Sequence, residues 1–554
     1  MGTFHSLLSA VRDRAATHPE AAALTVVTDP DAGVHRTLSY GELDRRGRAV
    51  AAGLCATGKP GDRVVLALPT GEDFATALLG CWYAGFVAVP APPPGRPGEI
   101  DRIGAIAEDC AAAVVLTDVS LSTMDFQPAM RPAAEDIALL QYTSGSTGDP
   151  HGVVLTHGNL AHNLAGIWTA FGRPGTVRIG GWLPLYHDMG LAMLLMPWWV
   201  GGTSILMPPS VFLRRPHRWL RMVDRYDIQI SAGPDFAYAL CARQLTDAQV
   251  DGLDLSRWTA AISGAEPVSA ATVAAFTHRL APAGFRPEAL SPCYGLAEST
   301  VYVTGAGAGP PTVRAVDAAA LADRRLVALD PVAGTGGRAL VGCGTSGHLE
   351  VRVVDPDTGR PLAAGHIGEI WIRGGSVAGG YWNRPARSRA VFTAVTTDGE
   401  PGWLRSGDLG AMLDGELFVT GRAKDTIVVY GRTLYPHDIE ATVRATAPQL
   451  ATLFGAAFGF HGSGGDIDST GGERIAVVHE LQGRPEPADL RALAGRIRSR
   501  VAAAHGVALH GVVLVRPGAV PRTTSGKVRR SATRDLALAG ALSPLYTDLP
   551  ETAR

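Results

Sequence analysis

The chain has 554 residues, too many for one ordinary domain, and 46% hydrophobic against 18% charged residues excludes a disordered chain and suits a large buried core. Fifty basic residues face 52 acidic ones, a formal net charge of −2, so no global charge points to nucleic acid or to a membrane surface. The six cysteines, at positions 55, 81, 110, 241, 293 and 343, form no C-x-x-C pair and read as reduced, mostly buried thiols of a cytoplasmic protein.

No basic region followed by an apolar run opens the chain, so no signal peptide is expected. Phe4, Leu7, Leu8, Val11 and Ala15 recur at helical spacing, which predicts an amphipathic helix over 4–18. A strand follows at 22–27, then a helix from the capping-box pattern Ser39-Tyr-Gly-Glu42 to about residue 54. Strands at 63–68, 86–89 and 113–116 alternate with helices at 72–84 and 99–110. Such alternation argues for a parallel α/β sheet covered on both faces, with ligands beyond the carboxyl ends of its strands.

Periodicity fails between 117 and 135, a polar linker. It leads into Gln141-Tyr-Thr-Ser-Gly-Ser-Thr-Gly148, flanked by apolar runs at 137–140 and 153–155, so a loop between two strands is expected. Glycines let the backbone approach a ligand, and hydroxyls with free N–H groups converge on an anion, which is what a polyphosphate grip needs. No Gly-Lys-Ser/Thr follows, so this is not a Walker A loop. The nearly uncharged stretch 190–207 has membrane length, but Pro197, Gly201 and Gly202 interrupt it, and buried core is the expectation. A Gly-, Ala- and Pro-rich irregular zone spans 305–347, and strand-like runs at 349–354, 369–372 and 416–419 suggest a small β-rich subdomain. The sharpest boundary falls near Arg422-Ala-Lys-Asp425, and the remainder to 554 is long enough for a small separate α/β domain.

Further motifs follow the loop in order: Trp182-Leu-Pro-Leu-Tyr-His-Asp-Met-Gly190, Ser263-Gly-Ala-Glu-Pro267, Tyr294-Gly-Leu-Ala-Glu298, Ser406-Gly-Asp-Leu409, Gly421-Arg-Ala-Lys-Asp425 and Pro521-Arg-Thr-Thr-Ser-Gly-Lys527. Together they resemble the adenylate-forming superfamily. The wording of Pro184-Leu-Tyr-His-Asp-Met-Gly-Leu191, Phe212-Leu-Arg-Arg-Pro216 and Ile427-Val-Val-Tyr-Gly-Arg432 is most similar to the fatty acyl-AMP ligases. The resemblance covers about residues 5 to 540. It implies a large N-terminal domain at 1–422 with parallel α/β sheets and a β-rich subdomain, a hinge at 423–426, and a small mobile C-terminal α/β domain at 427–554. It also implies a branch-specific insertion within the 305–347 zone.

The implied reaction joins a fatty acid to AMP from MgATP, releasing pyrophosphate. A carboxylate is a poor electrophile, and attaching AMP makes its oxygen part of a good leaving group. Both reactants are anionic, so the site must neutralise charge and align the attack. By resemblance, Thr143, Ser144, Gly145, Ser146, Thr147 and Gly148 hold the β- and γ-phosphates, and Glu298 binds Mg2+. Gly264, Ala265 and Glu266 line the adenine, Tyr294 (followed by Gly295) stacks on it, Asp408 takes the ribose hydroxyls, and Arg422 sits beside ribose and phosphate. Lys527 bridges the attacking carboxylate and the α-phosphate, a task for a point charge on a flexible stem, while His187 positions or gates the acyl pocket, and Lys424 is the hinge. Two departures stand out: relatives often have lysine where this chain has His151, and Asp149 is an odd neighbour for pyrophosphate.

The resemblance implies transfer of the acyl group to the phosphopantetheine thiol of an acyl carrier protein, for polyketide or lipopeptide biosynthesis. No Leu-Gly-x-Asp-Ser-like carrier motif follows Lys527, so the carrier is expected in trans. Between Arg516 and Arg534 the charged residues are all basic: Arg516, Arg522, Lys527, Arg529, Arg530 and Arg534. With Lys527 in the site, the other five are expected to face outward toward an acidic carrier. The alternatives are an acyl-CoA or aryl-CoA synthetase, an amino-acid-activating domain with Asp188 facing the substrate ammonium, and a catalytically silent homologue, against which Glu298, Asp408, Arg422 and Lys527 argue. No nucleic acid and no membrane span are expected.

Overall fold

The computed structural model describes residues 5–95, 99–119, 126–127, 132–143, 151–172, 175, 177–307, 309–329, 337–429, 432–460, 473–483, 485–523 and 526–550. Two sheets dominate the first four hundred residues. One is eight-stranded, in the order Thr304–Gly305, Leu290–Tyr294, Ala260–Ser263, Ile230–Gly233, Arg178–Gly181, Thr203–Leu206, Ala22–Asp29, Val34–Ser39. Its interior pairings are parallel and both edge pairings antiparallel. The other is five-stranded: Val114–Leu116, Arg63–Leu66, Val87–Pro90, Ile137–Thr143 and His151–Thr156, parallel apart from the last pair.

The helix Asp188–Val200 is apolar all round after its first turn, and Gly190 to Trp198 are all buried, as suits a helix enclosed by other elements. Its Trp198 indole donates to the Ala23 carbonyl, and the Leu194 carbonyl accepts from Ser204 Oγ, which ties it to the eight-stranded sheet. Gly201, at φ 72°, closes the helix, and Thr203–Leu206 leads away as a strand. Thus the membrane-length stretch is a core helix plus a core strand. Among the described residues no helix is long and apolar enough to cross a membrane.

The predicted elements in the first 120 residues are present within two residues at most ends, among them Leu7–Thr17, Tyr40–Cys55, Glu72–Tyr83 and Glu99–Asp109; the first helix starts three residues late. At the second helix only half of the capping box forms: Ser39 Oγ accepts from the Glu42 N–H, while the Glu42 carboxylate turns to Arg46. The sequence reading passes over Val34–Ser39, an exposed edge strand folded back through Gly33, whose φ of 75° suits glycine. It also passes over Leu404–Leu413, the third strand of the sheet Glu350–Val354, Gly368–Arg373, Leu404–Leu413, Glu416–Arg422. Ser406-Gly407 breaks that strand's alternation, and Gly407 has φ 71°. The described part of 117–135 carries no helix or strand, and the 305–347 zone holds an antiparallel pair, Val313–Asp317 with Gly337–Val341, and the short helix Ala318–Ala322.

From Ile427 onward the buried apolar residues form clusters of their own around a sheet ordered Gly455–Phe460, Arg474–Glu480, Leu509–Val515, Pro544–Thr547. Tyr435 is an exception. It packs with Val316, Leu340, Leu409 and Phe418, and beside it Arg338 is paired with Asp438 at 2.7 Å.

Candidate active site

Four adjacent parallel strands of the large sheet end on one side, and the carboxyl ends of three of them deliver part of a motif. Arg178–Gly181 leads to His187 and Asp188, Ile230–Gly233 to Phe236, Ala260–Ser263 to Gly264, Ala265 and Glu266, and Leu290–Tyr294 to Gly295 and Glu298. That is the edge where open α/β sheets bind ligands.

Gly264 is buried, Ala265 is exposed at φ 68°, and Glu266 Oε1 accepts from the Phe236 N–H at 2.7 Å. A Cβ on Gly295 would lie 1.7 Å from the Val301 carbonyl oxygen, so only glycine fits where the chain doubles back toward Glu298. Tyr294 donates its hydroxyl to Asp408 Oδ2 at 2.8 Å, and Arg422 Nε donates to Asp408 Oδ1 at 2.8 Å. Asp408 and Arg422 are cross-strand partners in the four-stranded sheet, which fixes their proximity. Glu298 Oε1 accepts from the Tyr381 hydroxyl at 2.9 Å.

On the other side of the cleft, Thr143 and His151 are the paired ends of a hairpin. Ser144, Gly145, Ser146, Thr147, Gly148 and Asp149 lie outside the described residues. Gln141 donates to the Tyr186 carbonyl at 2.7 Å and so joins this hairpin to the His187 stretch. His187 precedes the helix as its N-cap, and burial, with Lys527 and Arg102 nearby, pushes its imidazole down to about 3. Asp188, in the first turn, is pushed up by burial and by Glu298, against the pull of Lys527 and the Met189 N–H. Behind Asp188 runs a narrow apolar cavity of about 20 Å³, walled by Leu155, Leu160, Leu164, Leu191 and Leu195. A larger depression of about 340 Å³ around Arg214, Arg215 and Gln244 shares no residue with this site.

Lys527 reaches the cleft from the C-terminal part. Gly526, at φ 89°, lies near the Phe236 ring, and Lys527 closes a tight loop by accepting from the Thr523 N–H at 2.8 Å. The surrounding protein lowers the Lys527 ammonium below its ordinary value, desolvation first, with Arg422 adding and Asp188, Glu266 and Asp408 opposing. Its side chain is solvent-accessible. The fold thus brings Lys527, Asp188, Glu266, Asp408 and Arg422 within one electrostatic neighbourhood. Lys424 sits in the 3-10 turn Ala423–Asp425, and desolvation, then Arg422, lowers its ammonium.

One expectation is corrected. Arg530 does not face outward: its guanidinium grips Glu440 at 2.7 and 2.8 Å and reaches Asp425 at 3.4 Å, and Glu440 is buried. A carboxylate buried that deeply needs a cation, and Arg530 is its partner. Arg534 is paired with Asp535, and Arg522 stacks over Phe454. His151 is likewise buried, with Arg387 donating to its Nε2. Tyr381 and Arg387, which contact Glu298 and His151, are absent from the sequence reading. Arg387 lies in the short helix Pro385–Phe392, outside every motif quoted above.

Residues 11–129 and 120–382 match the family described as AMP-binding enzyme, and the chain belongs to that family, as an AMP-forming, ATP-dependent ligase. Its similarity is to the fatty acyl-AMP ligases within it. The chain is 39% identical to the medium-chain-fatty-acid–[acyl-carrier-protein] ligase JamA of Moorena producens, over 91% of this chain and 90% of that protein. It is 36% identical to the 4-hydroxyphenylalkanoate adenylyltransferase of Mycobacterium marinum, over 95% and 90%. The crystal structure of a fatty acyl-adenylate ligase from Legionella pneumophila, in complex with acyl adenylate and pyrophosphate, matches with a TM-score of 0.74 at 35% identity, covering 98% of each chain.

Proposed function

We propose that this ligase activates a fatty acid as its acyl-adenylate and passes the acyl group to a carrier-protein thiol supplied in trans. The convergence of Lys527 with Asp188, Glu266, Asp408 and Arg422 at the carboxyl ends of the parallel strands is the observation that carries the reading. The name of the JamA relative supports a carrier-protein acceptor.

In this reading Asp408 accepts from the ribose hydroxyls, Arg422 holds the carboxylate of Asp408 in place and faces the α-phosphate, and Tyr294 and the Gly264–Glu266 turn bound the adenine. The acyl chain enters between the leucines behind Asp188, which requires the helices His157–Phe171 and Asp188–Val200 to part from the narrow cavity between them. His187 stays neutral at working pH and shapes the entrance; the substrate carboxylate is already ionised and needs no base. The Lys527 ammonium neutralises charge that builds as the carboxylate oxygen attacks the α-phosphate and pyrophosphate leaves. Thr143 stands at the end of the hairpin beside the polyphosphate. Glu298 has one oxygen bound by Tyr381 and the other available, and among the described residues no cluster of three or more metal-binding side chains exists. One carboxylate plus phosphate oxygens fits Mg2+ brought with the nucleotide, with Glu298 as the residue that would hold it. Bound there, Mg2+ would neutralise the departing pyrophosphate.

We further assign 1–422 as the adenylating domain, 423–426 as the hinge and 427–554 as the domain that turns between the two half-reactions. ATP–pyrophosphate exchange over a panel of fatty, aryl-alkanoic and amino acids tests the substrate class. Exchange with fatty acids is expected. Exchange confined to amino acids overturns the reading, and efficient acyl-CoA formation when CoA and holo-carrier are both offered replaces the carrier with CoA.

A further inference from the structure

Where relatives often have a lysine at the phosphate loop, this chain has His151, which removes a permanent cation there. The structure supplies one from a distant helix. Residues 379–382 run beside the strand His151–Thr156: the Val154 N–H donates to the Gly380 carbonyl, and the Trp382 N–H to the Gly152 carbonyl. This backbone ladder fixes Tyr381, whose hydroxyl donates to Glu298. Six residues on, in the helix Pro385–Phe392, Arg387 lies with its guanidinium carbon 5.2 Å from the Tyr381 ring centroid and donates through Nη1 to His151 Nε2.

That geometry holds the guanidinium by its face and by one N–H. An arginine has five such donors in a fixed fork, matched to phosphate oxygens. In that contact the guanidinium can only donate, so His151 is the acceptor. Among the described residues no carboxylate forms an ion pair with it, whereas Arg384, just before the same helix, is paired with Asp109 at 2.6 Å. Arg387 is exposed, and its charge is felt at Lys424.

We propose that Arg387 is a polyphosphate-binding residue, its guanidinium held between His151 and Tyr381 so that its open N–H groups meet the β- and γ-phosphates of ATP. The inference rests on the adenylation reading above and adds a residue to it. Arg387 stays with the terminal phosphates as they leave, so it acts on nucleotide and pyrophosphate and not on AMP or the acyl chain.

Calorimetric titration of the full chain with ATP, AMP and pyrophosphate, each with Mg2+, tests this. Arg387→Gln is expected to weaken ATP and pyrophosphate about tenfold, the loss of one charge-assisted contact, and to leave AMP unchanged. Arg387→Lys should recover part of the loss, since a point charge replaces a fork. In pyrophosphate exchange the same variant should raise the KM for pyrophosphate and leave the KM for fatty acid alone. Unchanged ATP binding overturns the proposal. So does an equal weakening of ATP and AMP, which would make Arg387 a staple between the helix and the hairpin strand. A parental protein that binds neither ATP nor AMP sinks the adenylation reading itself, and the proposal falls with it.

Discussion

Lys527 and Arg530 are three residues apart, share a sign, and do opposite work. Arg530 is enclosed by Glu440 and Asp425 and ties the 423–425 turn to the helix Pro436–Arg444. Lys527 faces the cleft, with its compensating carboxylates, Asp188, Glu266 and Asp408, all on the far side. A cation whose partners lie within its own unit is structural. A cation whose partners lie across a boundary reports on how the two sides meet, and it is the one available to a ligand that arrives between them.

The most damaging way to break the comparison is Lys527→Ala. Adenylate formation should fall by about 10²–10³-fold, the range for removing one positioned charge from a developing anion. Acyl transfer from supplied adenylate should survive, because that step no longer needs the α-phosphate contact. Parental rates of adenylation would dismiss the assignment.

Arg530→Ala should act on stability instead. Leaving Glu440 buried without its partner costs about 3–5 kcal/mol, read as a lowered unfolding midpoint, while Arg529→Ala should change little. Arg530 keeps the Glu440 carboxyl below its ordinary value although burial pushes the other way. The group is depressed on folding, so its stabilisation is present above the unfolded pKa of about 4.3 and is lost as pH falls through the folded value. Glu440→Gln should remove that acid limb from the unfolding profile.

Lys424→Pro should have a smaller and asymmetric effect. Proline fixes φ near about −65° in a turn through which the C-terminal unit would have to rotate, so one half-reaction should be spared and the other slowed about tenfold. Equal loss of both would signal misfolding. The smallest change is expected from His187→Gln in the pH dependence of adenylation. The ring is already neutral across about pH 5–8, so the profile should keep its shape even if the KM for fatty acid rises. Loss of a limb near neutrality would mean that His187 titrates after all.

Much of this site is legible in the sequence because its residues cluster in short motifs at strand ends, and a strand end is local information. Gly264, Glu266, Tyr294 and Glu298 are found through those motifs, although the strands Ala260–Ser263 and Leu290–Tyr294 that position them are not among the predicted elements. Asp408 is harder: its strand is disguised by Ser406-Gly407, and its partners Tyr294 and Arg422 are joined to it by tertiary pairing. Arg530 is misread because Glu440 lies 90 residues away, and nothing near position 530 shows that a carboxylate there is buried. Arg387 is missed for the same reason, since its hold on His151 spans 236 residues. Charge runs look alike in sequence whether they are solvated or spoken for.

Tyr435 has a consequence for timing. Its ring is lodged among Val316, Leu340, Leu409 and Phe418, outside the core of the unit to which its helix belongs. Re-exposing an aromatic side chain of this size costs about 2 kcal/mol. If the C-terminal unit turns as proposed, the turned arrangement of the unliganded enzyme is then a minority of a few per cent, before the Arg338–Asp438 pair is counted. A thiol-bearing partner that engages only the turned form would meet an enzyme mostly waiting in the adenylating one, and its apparent affinity would be lowered by that fraction. Tyr435→Ala should then make the partner bind more tightly while leaving the first half-reaction slower, the signature of a resting preference written into a single ring.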